Sequence, residues 1–324
     1  MRILLTSDSY LPVVSGLTTV VNGIGKEFEK QGHTVAIIAP VPFNRRKKNA
    51  LSPVVLGISS FRNPIRPDHH VALPRYKDVE QKILNFAPDV IHAHTPGPIG
   101  STVAHIAQKK SIPMIASCHG VPGYITSYFP GIPKPVATFI ESMLWRYSRS
   151  FFNSVQRVVA PSEFIEQTLK MHEIIKPISE IPMWIDRPVK KHGLTKNTAR
   201  KRWQIPIDAY VFLYFGRLDY DKNLITLVSA FAQLQKQSHT GKKPYLLIAG
   251  RGRQAHRLQT YIQKHAIPSA RVKHGYLKQN QVEEVYALSD AFVMPGLFEA
   301  QSIVTLQAIA RNLQVILAKS GALP

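Results

Sequence analysis

Short apolar, β-rich runs alternate with longer segments of helical period along most of the chain. That alternation confines the fold to parallel sheets covered by helices on both faces. In the first half, 2–6, 34–39, 54–57, 90–93, 114–117 and 157–160 read as buried strands, and 18–31, 77–86, 100–109 and 135–155 as helices. Breakers stand at the joins: Gly32-His33, Pro113 and Pro161-Ser162. From Pro182 to Pro206 the character changes. Arg187, Lys190, Lys191, Lys196, Arg200, Lys201 and Arg202 face a single acid, Asp186, which predicts a linker and a short basic helix. The alternation then restarts, with strands at 211–215, 245–249, 272–274, 291–294 and 314–318 and helices at 224–236, 254–265, 279–288 and 302–311. The expected architecture is α/β: two doubly wound, Rossmann-like domains, 1–185 and 186–324, whose strand carboxyl ends face a central cleft.

Composition supports two cores. The chain has 324 residues, 44% hydrophobic and 19% charged, as in an ordinary globular protein. The single cysteine, Cys118, excludes an internal disulfide and fits a reducing compartment. The chain opens directly on Arg2-Ile3-Leu4-Leu5 without a charged-then-apolar leader, and no apolar run approaches the ~20 residues of a membrane-spanning helix. A cytoplasmic protein, peripheral on the inner face of the plasma membrane, is expected. There is neither a repeat nor a low-complexity tract. Charge is the unusual quantity: 41 basic residues against 20 acidic, a net +21. This favours anionic partners, whether phosphates, nucleic acid or an anionic lipid surface. A basic surface serving solubility alone is the competing reading.

The chemistry-bearing residues cluster at predicted strand ends. After strand 291–294 comes Pro295-Gly296-Leu297-Phe298-Glu299, and Gln307 follows Glu299 by eight positions. Eight residues is a little over two helical turns, so both are expected to address one ligand from the same side. After strand 211–215 comes Gly216-Arg217-Leu218-Asp219-Tyr220-Asp221-Lys222. Arg217 can fork two phosphate oxygens and Lys222 can add a point charge, unless Asp219 and Asp221 make this a solvated, self-paired loop. The first strand runs through Thr6-Ser7-Asp8-Ser9-Tyr10-Leu11-Pro12 to Ser15-Gly16-Leu17-Thr18-Thr19 and into a helix. Gly16 admits close backbone approach to an anion at the helix start; the alternative is a plain turn with a Thr N-cap. The pattern is not G-x-G-x-x-G, which weakens a dehydrogenase reading.

His92, His94 and His119 all sit at strand ends, but no cysteine or carboxylate cluster completes a metal site. His119 alone, projecting from its strand tip, is the better candidate for a ligand, against a structural histidine. Phe139, Ile140, Met143, Leu144, Tyr147, Phe151 and Phe152 recur at helical spacing beside Arg146, Arg149 and Arg157, which fits either a core helix or a membrane-surface helix. The loop tract Asn44-Arg45-Arg46-Lys47-Lys48-Asn49 reads as a surface patch for anionic lipid or solvent, without the interleaved aromatics of a nucleic-acid reader.

Taken in order, these segments resemble glycosyltransferase family four proteins of the GT-B fold. The resemblance rests on Met1-Arg2-Ile3 through Gly16, Gly32-His33-Thr34-Val35, Asp89-Val90-Ile91-His92-Ala93-His94, Val159-Ala160-Pro161-Ser162, Gly216-Arg217-Leu218 with Lys222, and Glu299 with Gln307. The opening from Ser7 to Gly16 is similar to the lipid-directed branch, which glycosylates diacylglycerol or phosphatidylinositol. The resemblance implies a metal-independent, retaining hexosyltransferase that closes two domains over a nucleotide diphosphate sugar and uses no other cofactor. It assigns Glu299 to donor sugar hydroxyls, Gln307 to the ribose, Arg217 and Lys222 to the diphosphate, Gly16 to diphosphate approach and His119 to the transferring sugar. The Gly275-Tyr276-Leu277 turn, with Tyr276 and Leu277, would border the base, without deciding between uridine and guanosine.

The sequence departs from the family pattern at several points. Gln307 stands where the family's E-x(7)-E motif has its second acid, and Ala300-Gln301-Ser302 where a glycine is frequent. Pro182-Met183-Trp184-Ile185-Asp186 replaces the usual Asn-Gly before a hydrophobic-Asp step. Pro324 directly follows the fifth strand, so the second domain is expected to lack the family's last helices. The leading expectation is transfer of a hexose to a membrane glycerolipid or phosphatidylinositol-type lipid. A nucleotide-sugar-binding relic of the fold stands as the alternative, and a nucleic-acid-binding protein, resting on charge alone, comes third.

Overall fold

The computed structural model describes residues 1–13, 15–42, 53–63, 70–123, 131–185, 188, 192–237, 241 and 243–323. The basic tract at 44–49 and linker residues Asp186, Arg187, Lys190 and Lys191 lie outside them. The chain divides into two compact units, 1–122 with 133–185, and 123–132 with 186–324.

Unit one carries β1 (Arg2–Thr6), β2 (Thr34–Pro42), β3 (Val54–Arg62), β4 (His70–Ala72), β5 (Val90–Ala93), β6 (Met114–Ser117), β7 (Arg157–Ala160) and β8 (Ile178–Glu180). They form one sheet in the order β4-β3-β2-β1-β5-β6-β7-β8, parallel except for the β3–β4 pair. The central strands are continuous apolar runs because helices cover both faces: Leu4, Leu5, Ile37, Ile38 and Ile91 have no solvent contact. Two edge strands, β4 and β8, and the helix Glu163–Met171 are additions to the sequence reading. Ser162, read there as a breaker, is that helix's N-cap and accepts from the Ile165 amide.

The helix Lys134–Phe152 divides the aromatic run that the sequence left open between core and membrane surface. Trp145, Phe151 and Phe152 are buried, whereas Val136, Phe139, Met143 and Tyr147 are exposed. The exposed four recur at three- and four-residue intervals and so form one face.

Unit two carries β9 (Tyr210–Phe215), β10 (Pro244–Gly250), β11 (Ala270–His274), β12 (Ala291–Met294) and β13 (Gln314–Leu317), all parallel, in the order β11-β10-β9-β12-β13. The order reverses at β9, which has β10 on one side and β12 on the other. In open parallel sheets, loops at such a switch point converge on a ligand crevice. The basic helix Lys196–Trp203 is capped by Thr195, and its Arg200 is buried against Asp290 and the Leu288 and Ile207 carbonyls. Among the described residues no helix is long and apolar enough to cross a membrane.

Candidate active site

The loops leaving β9, β10 and β12 are locked together by backbone. The Gly216 amide donates to Ala249, Leu218 donates to Arg251, and Gln254 donates back to Leu218, at 3.1, 2.8 and 2.8 Å. This approach requires glycine at two positions. A Cβ at Gly250 would stand 1.8 Å from the Gly216 carbonyl oxygen, and one at Gly252 would stand 2.3 Å from the Leu218 backbone. The β9 loop then forms a single 3-10 turn, Tyr220–Lys222. Across from it, the Leu297 amide reaches the Asp221 carbonyl at 3.4 Å and Ala322 donates to the Glu299 carbonyl at 3.0 Å. Gly321, at φ +58, lets its segment come that close.

This frame brings together Arg217, Lys222 and Glu299. Arg217 donates through Nη1 to Asp219 Oδ2 (2.5 Å) and through Nη2 to Asp221 Oδ2 (2.7 Å). Lys222 Nζ lies 2.7 Å from Glu299 Oε1 and 3.1 Å from Asp221 Oδ2. Of the two readings of the β9 loop, self-pairing is present, but it is not a solvated loop. The Asp219 and Asp221 side chains are only 4% and 1% exposed, while that of Arg217 remains 37% exposed. The acids therefore form a floor beneath the cations. Burial acts to raise the Asp221 pKa, but Lys222 and Arg217 outweigh it and hold the carboxyl below its usual value. Below them, the Tyr214 hydroxyl donates to the Arg217 carbonyl at 2.5 Å. Burial first, and the Glu299 charge second, keep that phenol well above its usual pKa and so neutral.

Gln307 departs from the helical-spacing expectation. Its helix spans only Ile303–Ile309, so Glu299 precedes the helix and a period of 3.6 does not relate the two. Their side chains have different partners: Lys222 for Glu299, and the Tyr286 hydroxyl, at 3.2 Å, for Gln307. Arg311 donates to the Gln307 carbonyl at 2.9 Å, forks Glu283 at 3.0 and 2.7 Å, and lies over the Tyr286 ring. Of the residues expected to border the base, Tyr276 is exposed beneath the Arg251 guanidinium, whereas Leu277 packs against the unit's core.

In unit one, His119 follows β6 and approaches His94, with 3.0 Å between His119 Nε2 and His94 Nδ1. Its Nδ1 and His94 Nε2 are buried, with no partner among the described residues. The imidazole is thus turned onto its neighbour, not projecting freely from the strand tip. His92 hydrogen-bonds Ser117 at 2.7 Å and lies against His94, with ring centroids 4.1 Å apart. Burial lowers all three pKa values, to about 4 for His92 and about 3 for His119. Gly16 is the first residue of the helix Gly16–Lys30. The cap is Ser15, not a threonine: Ser15 Oγ accepts from the Thr18 amide at 3.2 Å.

The sequence reading missed Asp8 and Tyr286. Asp8 accepts from Thr95 Oγ1 (2.6 Å) and the Ile99 amide (2.8 Å), capping a helix some ninety residues away. Only the shortness of a side chain beside a strand end hinted at that role. Tyr286 carries no local signal at all.

The comparisons agree with this anatomy. Residues 14–187 match the family model described as Glycosyltransferase Family 4, and residues 195–324 match Glycosyl transferases group 1. Among curated proteins, the chain is 26% identical over 322 residues to an alpha-monoglucosyldiacylglycerol synthase of Streptococcus pneumoniae, covering 98% of this chain and 70% of that one. A synthase of the same name from Acholeplasma laidlawii is 24% identical, covering 98% and 80%. Among solved structures, sucrose-phosphate synthase from Thermosynechococcus elongatus superposes with a TM-score of 0.76 at 17% identity, covering 99% and 82%. Anabaena HepE in complex with UDP and glucose gives 0.72 at 15%, also covering 99% and 82%. These structures share the GT-B fold of two Rossmann-like units. The chain belongs to glycosyltransferase family 4.

Proposed function

We propose that this glycosyltransferase moves a hexose from a nucleotide diphosphate sugar to a membrane glycerolipid or phosphatidylinositol-type lipid, with retention of configuration and without a catalytic metal. One observation carries the donor half: Arg217 on its floor of buried carboxylates, and Lys222 held on Glu299, converge at the carboxyl ends of β9 and β12. In unit two, Glu299 takes the sugar hydroxyls, Arg217 and Lys222 the diphosphate, and Gln307 the ribose, with Tyr276 and Leu277 bordering the base. In unit one, Gly16 and His119 take the diphosphate-approach and sugar-contact roles that the family resemblance implies. The sugar–phosphate bond breaks as charge builds on the leaving diphosphate, so cations fixed in advance are worth most at the transition state.

The lipid half is supported by the two relatives named alpha-monoglucosyldiacylglycerol synthase, by the exposed face of helix Lys134–Phe152, and by the net charge of +21. Apolar side chains on one helix face together with a cationic surface suit an anionic bilayer interface.

The test is mass-spectrometric detection of transfer from pooled nucleotide sugars to vesicles containing diacylglycerol, phosphatidylinositol and anionic lipid. It is run with and without EDTA, beside Glu299→Ala, and the product anomer is read by NMR. An α-linked product from an α-linked donor, insensitive to EDTA and absent in the variant, is expected. Donor binding without transfer would instead identify a sugar-nucleotide-binding relic, and an inverted product would exclude retention.

A further inference from the structure

The residue that replaces the family's second acid is held by a neighbour whose geometry leaves one arrangement free of conflict. Tyr286 Oη lies 3.1 Å from the Val304 carbonyl oxygen and 3.2 Å from the amide end of Gln307, placed with Oε1 toward the phenol. The oxygen and nitrogen of an amide are nearly isosteric, so the hydrogen-bond network decides which end belongs there. A phenol has one proton to give, and a backbone carbonyl can only accept. With the oxygen there, the Val304 carbonyl and Gln307 Oε1 must share that one proton, and each receives less than a full hydrogen bond. If the amide turns its NH2 there instead, both contacts are full hydrogen bonds: Tyr286 donates to Val304 and accepts from Gln307 Nε2. The phenol cannot drift to relieve the conflict. Tyr286 is 1% exposed, wedged edge-on against Phe215 and covered by Arg311, whose guanidinium is itself forked onto Glu283.

We infer that Tyr286 is a positioning residue that turns the Gln307 amide so that its oxygen faces the ligand, giving a neutral side chain the acceptor character of the acid it replaces. The ligand group this suits is a hydroxyl donor, such as a ribose diol. The inference rests on the reading of unit two as the donor site. It adds to that reading the residue that fixes Gln307 and the atom of Gln307 that is presented.

The experiment titrates the full chain with UDP and GDP and with their 2′,3′-dideoxy counterparts by calorimetry. It compares wild type with Tyr286→Phe and Gln307→Met. A ribose preference of about tenfold is expected in wild type, the scale of one well-placed hydrogen bond. Both variants are expected to bring it within about twofold while leaving dideoxynucleotide affinity unchanged, which a merely loosened fold would not do. A wild type that binds none of the four would refute the donor-site reading itself. Binding with the preference intact in either variant would overturn the inference while leaving that reading standing. Should Tyr286→Phe fail to fold, nitrogen-resolved NMR of wild type decides: one slowly exchanging Gln307 amide proton is expected, and two equally fast ones would overturn the orientation.

Discussion

Lys222 Nζ and Glu299 Oε1 stand 2.7 Å apart although 77 residues separate them, because the loops after β9 and β12 meet beside the strand where the sheet order reverses. The pair joins a group assigned to the diphosphate to one assigned to the sugar. Each fixes the other's position before any ligand arrives. Glu299→Gln and Lys222→Met are each expected to reduce kcat about 10²–10³-fold, the scale of removing one preorganised charge. The double variant should be much less than the product of the two, because either substitution already dissolves the pair. Steady-state transfer rates for the three proteins check this; strictly multiplicative losses would mean that the two side chains act independently.

The glycine pair behind the cations makes a second expectation. Gly250→Ala would drive a methyl group into the Gly216 carbonyl and Gly252→Ala into the Leu218 backbone, with no flexible side chain to give way. Gly193→Ala meets nothing within 4 Å at φ +74, so strain at positive φ is all it adds. Thermal melts should show the first two destabilised by more than ~3 kcal/mol and the third by about 1 kcal/mol. A Gly252→Ala protein as stable as Gly193→Ala would mean that the β9 and β10 loops are not locked.

Much of this frame is legible in the sequence, for an identifiable reason. Strands such as 2–6 and 291–294 are buried on both faces and therefore read as unbroken apolar runs. The strands His70–Ala72 and Ile178–Glu180 escape because they are three residues long and partly exposed at sheet edges, where burial imposes no pattern. Within the site, Arg217, Lys222 and Glu299 follow from their places after buried strands. Local sequence could not place Tyr286 beneath Gln307 or Asp8 on the Ile99 amide, since those contacts depend on sheet order. Nor could it say that Asp219 and Asp221 are buried: spacing shows that acids and cations can pair, not which of them faces water.

Acid should destabilise the fold in two separate windows. His92, His94 and His119 have folded pKa values below the ~6.5 of an unfolded histidine, with burial the first cause for each. The unfolded chain then binds more protons below that pH, so their stability contribution is present above ~6.5 and is lost as pH falls. The loss is up to about 1.4 kcal/mol per pH unit for each histidine, and for His92 it runs down to a folded pKa of about 4. Asp221 has a folded pKa below the ordinary aspartate value, so its contribution persists through this window and is lost only at lower pH. Urea titrations from pH 7.5 to 4.5 should show a steep fall that His92→Gln makes shallower and Asp221→Asn leaves unchanged in slope. A flat profile would mean that the three imidazoles reach water.

The exposed helix face gives the last expectation and separates lipid attraction from donor chemistry. Phe139 and Met143 are 64% and 56% exposed, four residues apart, and flanked by Val136 and Tyr147. Replacing both with serine removes apolar area from the surface without opening the buried side of the helix formed by Trp145, Phe151 and Phe152. Each side chain fully transferred from water is worth about 1.5–3 kcal/mol, so partial insertion of two should make the double variant bind anionic vesicles roughly 10–100-fold more weakly. Raising salt should weaken wild-type binding as well, since the charge term is screened within a Debye length of ~8–10 Å. Nucleotide binding in solution should not change. Co-sedimentation with vesicles at two salt concentrations, beside calorimetry with the nucleotide, reads both halves. If the variant kept full vesicle affinity while salt abolished it, attraction would be by charge alone and the apolar face would play no part in membrane contact.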